Sequence, residues 1–246
     1  MAKKNRARIT HIIDCACVIH GSGYTWDYVE RLYNMLVRNI PSGIRFHVYT
    51  EHDRSVPPHM IKHILDEWPG VSGPKKSWWY KMQLFNKAHH SGDLFYLDLD
   101  TMIVDDLSWI FTHPTDYFWT IRDFRYLQRL SISSINSSVM WFNVEKFHSV
   151  YEKFSSEHLP TLMQTFPGDQ DYLQVNIDHV RRRFLDVTRF ASFRWQCYQG
   201  GMNWQTRKPK DPTAETVFPP NTSVVVFHGR PKPHEVNCPV VANFWR

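Results

Sequence analysis

No run of apolar residues in this 246-residue chain approaches the ~20 that a helix needs to cross a bilayer. The basic N-terminus, residues 1–8, leads into Ile9-Thr10-His11-Ile12-Ile13-Asp14, which is too short and polar for the core of a signal peptide. These two absences predict a cytoplasmic protein with a basic tail. Cysteine is scarce, and Cys15, Cys17, Cys197 and Cys238 form no Cys-x-x-Cys pair, which argues against a zinc site or a disulfide scaffold. Cys15 and Cys17 lie two apart in an apolar strand pattern and read as small core residues. Internal repeats, low-complexity tracts and interdomain linkers are missing as well, so a single domain is expected over 1–246.

What is present suits a folded enzyme. Hydrophobic residues make up 42% and charged residues 22%, which permits a sizeable core and argues against general disorder. Lys and Arg outnumber Asp and Glu by 29 to 24, a formal charge of +5. That balance suits an anionic ligand, and nucleic acid too, but apart from the tail and Arg181-Arg182-Arg183 the basic residues are scattered. The 10 Trp, 11 Tyr and 16 Phe could stack on sugars, although most aromatics in an enzyme of this size belong to the core.

The segment Leu94-Phe95-Tyr96-Leu97-Asp98-Leu99-Asp100-Thr101 carries the most information. Four apolar residues read as a strand buried on both faces. Two carboxylates follow it, and packing alone does not call for them, because an unpaired buried carboxylate costs several kcal/mol or protonates. The carboxyl end of a central strand is where α/β sheets place ligands, and two hard oxygen donors there suit Mg2+ or Mn2+ shared with phosphate oxygens. A lone Asp would read as an ordinary turn residue; the pair points to metal–phosphate chemistry.

Around that strand the pattern is βαβ. Residues 10–19 read as a first strand and His20-Gly21-Ser22-Gly23 as a turn. From Thr25, a candidate N-cap, Val29, Leu32, Tyr33, Leu36, Val37 and Ile40 recur at helical spacing. Pro41-Ser42-Gly43 stops the helix, and 44–49 form a second strand, so a mostly parallel sheet is expected. Helices are expected from Pro57 to about Trp68, from Ser77 or Trp78 through Phe85, over 107–111, and from Glu145 and Asp169. Strands are expected over 117–121, 137–142, 184–187 and 224–227, and 199–220 reads as a mobile excursion rich in Gly, Lys, Pro and Thr.

Three further groups bear chemistry. His228 follows a buried β-branched run; alone it reads as a core histidine, and beside Asp-x-Asp it becomes a candidate metal ligand. Gly229 lets backbone approach a ligand, and Lys232 is a mobile cation suited to a diphosphate. Asp169 and Gln170, at a helix start after Gly168, complement the helix dipole or face a polar substrate. Asn136-Ser137-Ser138 offers amide and hydroxyl groups ahead of a strand, and Lys81 sits in an aromatic helix start where snorkelling alone would explain it.

Taken in order, Leu97-Asp98-Leu99-Asp100-Thr101, Asn136-Ser137-Ser138-Val139-Met140, Gly168-Asp169-Gln170 and His228-Gly229-x-x-Lys232-Pro233 resemble GT-A-fold glycosyltransferases of the glycogenin-type, family 8-like branch. Tyr24-x-x-x-Tyr28-Val29-x-x-Leu32-Tyr33 and Trp78-Trp79-x-Lys81 resemble bacterial and phage relatives of that group, and the likeness spans roughly 11–235. It implies a Rossmann-like three-layer α/β/α fold and transfer of a sugar from a nucleotide-sugar, a UDP-sugar, to an acceptor hydroxyl on a glycan, protein or modified nucleic acid. It also implies that Asp98, Asp100 and His228 hold Mn2+ or Mg2+, with Asp98 near the ribose. Lys232 and the Gly229 backbone would hold the diphosphate, and His20, Gly21 and Tyr24 the nucleotide base. Lys81, Asp123 and Asn136 would contact the donor sugar, with Asp169 and Gln170 on the catalytic face where the acceptor arrives. Two positions depart from the family pattern: Ser138 replaces a usual Gly, and His234 replaces the aromatic that often follows Lys-Pro.

The resemblance implies retention at the anomeric carbon, in which the leaving phosphate can take the acceptor proton; an inverting enzyme would need Asp169 or Asp171 as base. Two other readings compete. A HAD-type phosphatase would use Asp98 as nucleophile and Asp100 as acid/base. Against it stand the mid-chain position of the motif and the lack of a Gly after Asp100. A non-catalytic sugar- or nucleic-acid-binding protein would have little use for the acid pair.

Overall fold

The computed structural model describes residues 11–71, 76–128, 134–156 and 159–246; the basic tail at 1–8 lies outside them. A central seven-stranded sheet runs in the order β3-β2-β1-β4-β7-β6-β8, where β1 is Ile13–Val18, β2 Ile44–Thr50, β3 Ile61–Ile64, β4 Asp93–Leu97, β6 Phe118–Arg122, β7 Ile135–Asn143 and β8 Arg182–Phe184. All its pairings are parallel except those of β7 with β4 and β6. A second sheet of three strands has the order β5-β10-β9, from β5 Thr101–Ile103, β9 Phe190–Ser192 and β10 Val224–Val226.

Alternation along the central strands divides the core into two layers. Cys15 and Cys17 of β1, Phe95 and Leu97 of β4, and Val139 and Trp141 of β7 belong to one buried cluster with helix α1, Trp26–Asn39. Ala16, Leu94, Tyr96, Met140 and Phe142 face the opposite side. There they meet the 3-10 helix Ser77–Phe85 and the helices α2 Ser149–Ser156, α3 Leu159–Thr165 and α4 Asp169–Asn176. The result is the expected three-layer α/β/α arrangement with a mostly parallel sheet.

Several elements differ from the sequence expectation. The segment from Pro57 to Trp68 holds the edge strand β3 and no helix; it pairs in parallel with β2, and His63 stacks on Tyr49 with ring centroids 4.5 Å apart. Edge pairing and that aromatic stack override the helical spacing, leaving Ile61 and Ile64 exposed. The stretch Ser77–Phe85 coils as a 3-10 helix whose residues from Trp79 to Phe85 are all buried, so it lacks the solvated face of an amphipathic α-helix. In α1, Thr25 is extended but its side chain makes no capping bond, and Met35 is buried where Val37 is exposed. The 107–111 helix is a 3-10 turn at Ile110–Thr112. The strand expected at 184–187 ends at Phe184. After Gly201 the excursion holds an isolated bridge between Met202 and Pro209. The C-terminal helix α5, Pro239–Phe244, returns to α1, where Arg31 lies 4.4 Å over the Trp245 ring.

Candidate active site

Strand β4 ends at Leu97, and the next turn joins the two sheets. Asp98 N donates to Ser138 O at 2.9 Å on β7, while Thr101 donates to Asp98 O through both N at 3.1 Å and Oγ1 at 2.7 Å. The chain then enters β5, which pairs antiparallel with β10. Just past β10, Phe227 N donates to Asp100 O at 3.0 Å. That pairing carries Lys232 back to the acid pair, 132 residues on from Asp100, and Lys232 Nζ donates to the Asp100 carboxylate. Sequence separation thus disappears in one β-ladder.

The acid pair lines a cavity of about 410 Å³ together with His20, Tyr24, Trp78 and Lys232. It opens at the carboxyl ends of β1 and β4, where β2 lies to one side of β1 and β4 to the other. This is the switch point at which open α/β sheets bind ligands.

Each carboxylate has its own cation. Lys81 Nζ lies 2.8 Å from Asp98 Oδ1 and 3.1 Å from Asp169 Oδ2, with only 9% of its side chain exposed. Tyr96 OH donates to Asp98 Oδ1 at 2.6 Å. Burial alone would raise the Asp98 carboxyl, but the Lys81 charge and the bonds from Lys81, Tyr96 and Ser138 carry it below the usual range. Asp100 goes the other way. Burial lifts it, Lys232 pulls it back, and the neighbouring Asp98 charge pushes it up, for a net rise. Tyr24 OH also donates to Asp100 Oδ2 at 2.9 Å. Lys81 stays firmly protonated, since Asp169 and Asp98 overcome the opposing effect of its burial.

A β-bulge supplies the other wall. Between β6 and β7 the register jumps from Thr120↔Met140 to Ile121↔Asn136, which pushes 137–139 out of the ladder. Thr120 Oγ1 holds the bulge, its one proton shared between Asn136 O at 2.7 Å and Val139 O at 3.0 Å. Ser137 Oγ thereby reaches Asp169 Oδ2 at 2.5 Å. Asp169 is buried and already tied to Lys81 and Ser137. Gln170 Nε2 donates to Asp123 Oδ2 at 3.3 Å, and Asp123 also pairs with Arg125 at 3.1 Å.

The remaining expected residues, Gly21 excepted, divide between two cavities. His20 lies in the acid-pair cavity, its ring centroid 4.2 Å from that of Tyr80 and its Nε2 3.2 Å from Glu67 Oε1; its Nδ1 is buried without a partner. Gly21, at φ +66°, donates its N–H to Glu51 Oε1 at 3.3 Å. Gly229, at φ +75°, lies under Arg194, whose Nη1 would stand 2.6 Å from an added Cβ. Asp123, Asn136 and Gln170 line a neighbouring cavity of about 260 Å³.

His228 lines that second cavity rather than the first. Its ring stacks on Phe124 with centroids 5.1 Å apart, and its Nε2 lies 2.7 Å from Ser192 Oγ. Burial, then Arg194, pushes it down to about 4 against the opposing pull of Asp123, so it is neutral. Among the described residues no group of three His, Cys, Asp or Glu side chains is gathered to hold a metal, and the expected three-ligand set with His228 is not assembled. The donor chemistry of the acid pair still fits a divalent cation: two adjacent carboxylates lie in a cavity, and Asp100 is raised by burial and by its neighbour.

Sequence reasoning passed over Tyr96, Arg194, Trp195 and Trp204. A tyrosine inside a buried strand needs a partner for its hydroxyl, and that signal could have found Tyr96. Nothing local marks the others.

No family model matches the chain, and no curated protein matches its sequence. Solved structures do match its fold. The galactosyltransferase LgtC, in complex with donor and acceptor sugar analogues, aligns with a TM-score of 0.63 at 15% identity over 92% of this chain and 91% of LgtC. The glycosyltransferase GlyE of Streptococcus pneumoniae gives 0.59 at 16% identity, over 91% of this chain and 56% of GlyE. Mouse xyloside xylosyltransferase 1 gives 0.54 at 13% identity, over 90% and 100%. The fold is that of the GT-A glycosyltransferases. No helix of the described residues is long and apolar enough to cross a membrane.

Proposed function

We propose that this chain is a glycosyltransferase of the glycogenin-type branch, moving a sugar from a UDP-sugar to an acceptor hydroxyl with retention of configuration. The observation that carries this reading is the clamp at the switch point, where Asp98 and Asp100 from β4 meet Lys232 from the end of β10 in one cavity. Asp98 and Asp100 are the residues that would hold Mn2+ or Mg2+, which neutralises charge on a leaving diphosphate.

The chain's own residues do the rest. Lys232 rests on Asp100 in this structure and swings to the diphosphate oxygens, where a preorganised cation favours departure of the nucleotide. The backbone at Gly229 lies beside it, free of a Cβ. His20, Gly21 and Tyr24 hold the base side of the nucleotide. Lys81 is fixed by Asp98 and Asp169, so Asp169 acts as a positioning residue and is poorly placed to serve as a free base. That supports retention, with the leaving phosphate accepting the acceptor proton. Asp123, Asn136 and Gln170 line the cavity where donor sugar and acceptor meet.

A thermal-shift panel of UDP, GDP and CDP, each with and without Mn2+, tests the reading. UDP with Mn2+ is expected to raise the melting temperature most. No shift with any of the three nucleotides contradicts the nucleotide-sugar reading.

A further inference from the structure

Beyond the donor cavity, the segment around Trp195 and Trp204 builds an aromatic trough with uncompensated positive charge. The two rings stack with centroids 3.7 Å apart and planes at 17°. Two guanidiniums lie over Trp195, Arg194 at 4.4 Å and Arg207 at 4.9 Å. Among the described residues neither arginine has a carboxylate partner, and Arg194 Nε is buried without any hydrogen bond. Two like charges sharing one ring leave a repulsion that a bound anion relieves.

The trough is continuous with the site. Trp204 lines both the cavity of about 260 Å³ that holds Asp123, Gln170 and His228 and a further cavity of about 600 Å³ walled by Asn203, Gln205, Arg207 and Lys210. Aromatic faces suit the apolar face of a sugar ring, and side-chain amides suit its hydroxyls. Arg125, at the Asp123–Gln170 end, is paired with Asp123, so the trough offers no continuous track of unpaired cations of the kind that follows a nucleic-acid backbone.

We propose that this trough binds an acceptor sugar bearing a phosphate or a carboxylate. Its attacking hydroxyl lies at the Asp123–Gln170 end, and its anion lies among Arg194, Arg207 and Lys210. The assignment of acceptor rests on the glycosyltransferase reading above; the anion site rests on the arginines and the cavity.

Calorimetric titration of the full chain, with UDP and Mn2+ present, tests it using glucose, glucose 6-phosphate, glucuronic acid and a short oligothymidine as probes. At least one anionic sugar is expected to bind about tenfold or more tightly than glucose, because charge-assisted hydrogen bonds replace neutral ones. Whether the phosphate or the carboxylate sugar binds better identifies the group. Arg207→Gln and Lys210→Gln each remove most of that advantage, and Arg207→Lys retains part of it. Equal affinity for charged and neutral sugars overturns the proposal, as does an anion advantage unchanged in both neutral variants. Tighter binding of oligothymidine overturns it in favour of nucleic acid. In a parallel titration begun without UDP, displacement of bound glucose 6-phosphate by added UDP overturns it by assigning the anion site to the donor diphosphate. Failure of UDP itself to bind, with anionic sugars still bound and still sensitive to Arg207→Gln, sinks the donor reading and leaves the anionic-sugar site standing.

Discussion

Asp98, Asp169 and Lys81 form a buried charge triad in which one cation serves two carboxylates. Removing the cation leaves two acids in a place that water reaches poorly, and breaking a buried pair from one side costs about 3 to 5 kcal/mol. Lys81→Met is expected to destabilise the fold by an amount in that range in a urea denaturation series, with the slope unchanged. A loss below about 1 kcal/mol, the range of exposed ion pairs, would show that the triad is solvated. Asp100 differs because its partner Lys232 arrives on the loop after β10 and is more exposed than Lys81, at 22% against 9%.

At the scale of elements, the bulge in β7 decides where the polar wall stands. Thr120→Val keeps the shape but removes the one hydroxyl proton shared by the Asn136 and Val139 carbonyls, so a loss of about 1 to 3 kcal/mol is expected in the same denaturation assay. Donor-sugar hydrolysis is expected to fall with it, because Ser137 is placed by that bulge; full activity in a destabilised variant would separate the two.

Strands β2 and β3 carry a second device, a histidine cluster. His47 Nδ1 lies 2.8 Å from His63 Nε2, and the rings of His89 and His90 pack beside them. Burial, then His47, His89 and His90, pushes His63 from the usual 6.5 down to about 3, and burial lowers His89 and His90 as well. Folding therefore favours the neutral rings. Stability is full above about pH 6.5 and falls as the pH drops below it, because the unfolded chain then binds protons that the folded one refuses. Melting temperature is expected to decline between about pH 7 and about pH 5, and less steeply in His63→Phe, which keeps the stack on Tyr49. A flat profile over that window would contradict the assignment.

These elements also show what a sequence reveals. Strands β1, β4 and β10 were legible because burial on both faces imposes an unbroken apolar run, and Asp98, Asp100 and Lys232 stood out against it. Strand β3 was not, since at an edge His63 and Tyr49 supply the stabilisation and leave Ile61 and Ile64 to solvent. The bulge was hidden because Thr120 and Asn136 are ordinary residues until their strands pair. Arg194, Trp195 and Trp204 carry no local signature, and only the excursion's return onto Trp195 brings them together. His228 was legible as chemistry but not as geometry, because Ser192 and Phe124, which hold it, come from other parts of the chain.

On the scale of the whole molecule, the small sheet is what makes a site out of the large one. Without the small sheet Asp98 would keep Lys81, but Asp100 would stand at the switch point with no cation of its own. The β5–β10 ladder folds the C-terminal end of the chain back over that point and closes the cavity with Gly229 and Lys232. We propose that this closure forms a metal–diphosphate clamp. Calorimetric titration of UDP into the wild-type chain and into Asp100→Asn, in Mn2+ and in chelator, tests it most directly. Binding by the wild type in Mn2+ is expected to weaken at least about tenfold in chelator, and likewise in Asp100→Asn in Mn2+. UDP binding of equal strength under all four conditions would contradict it.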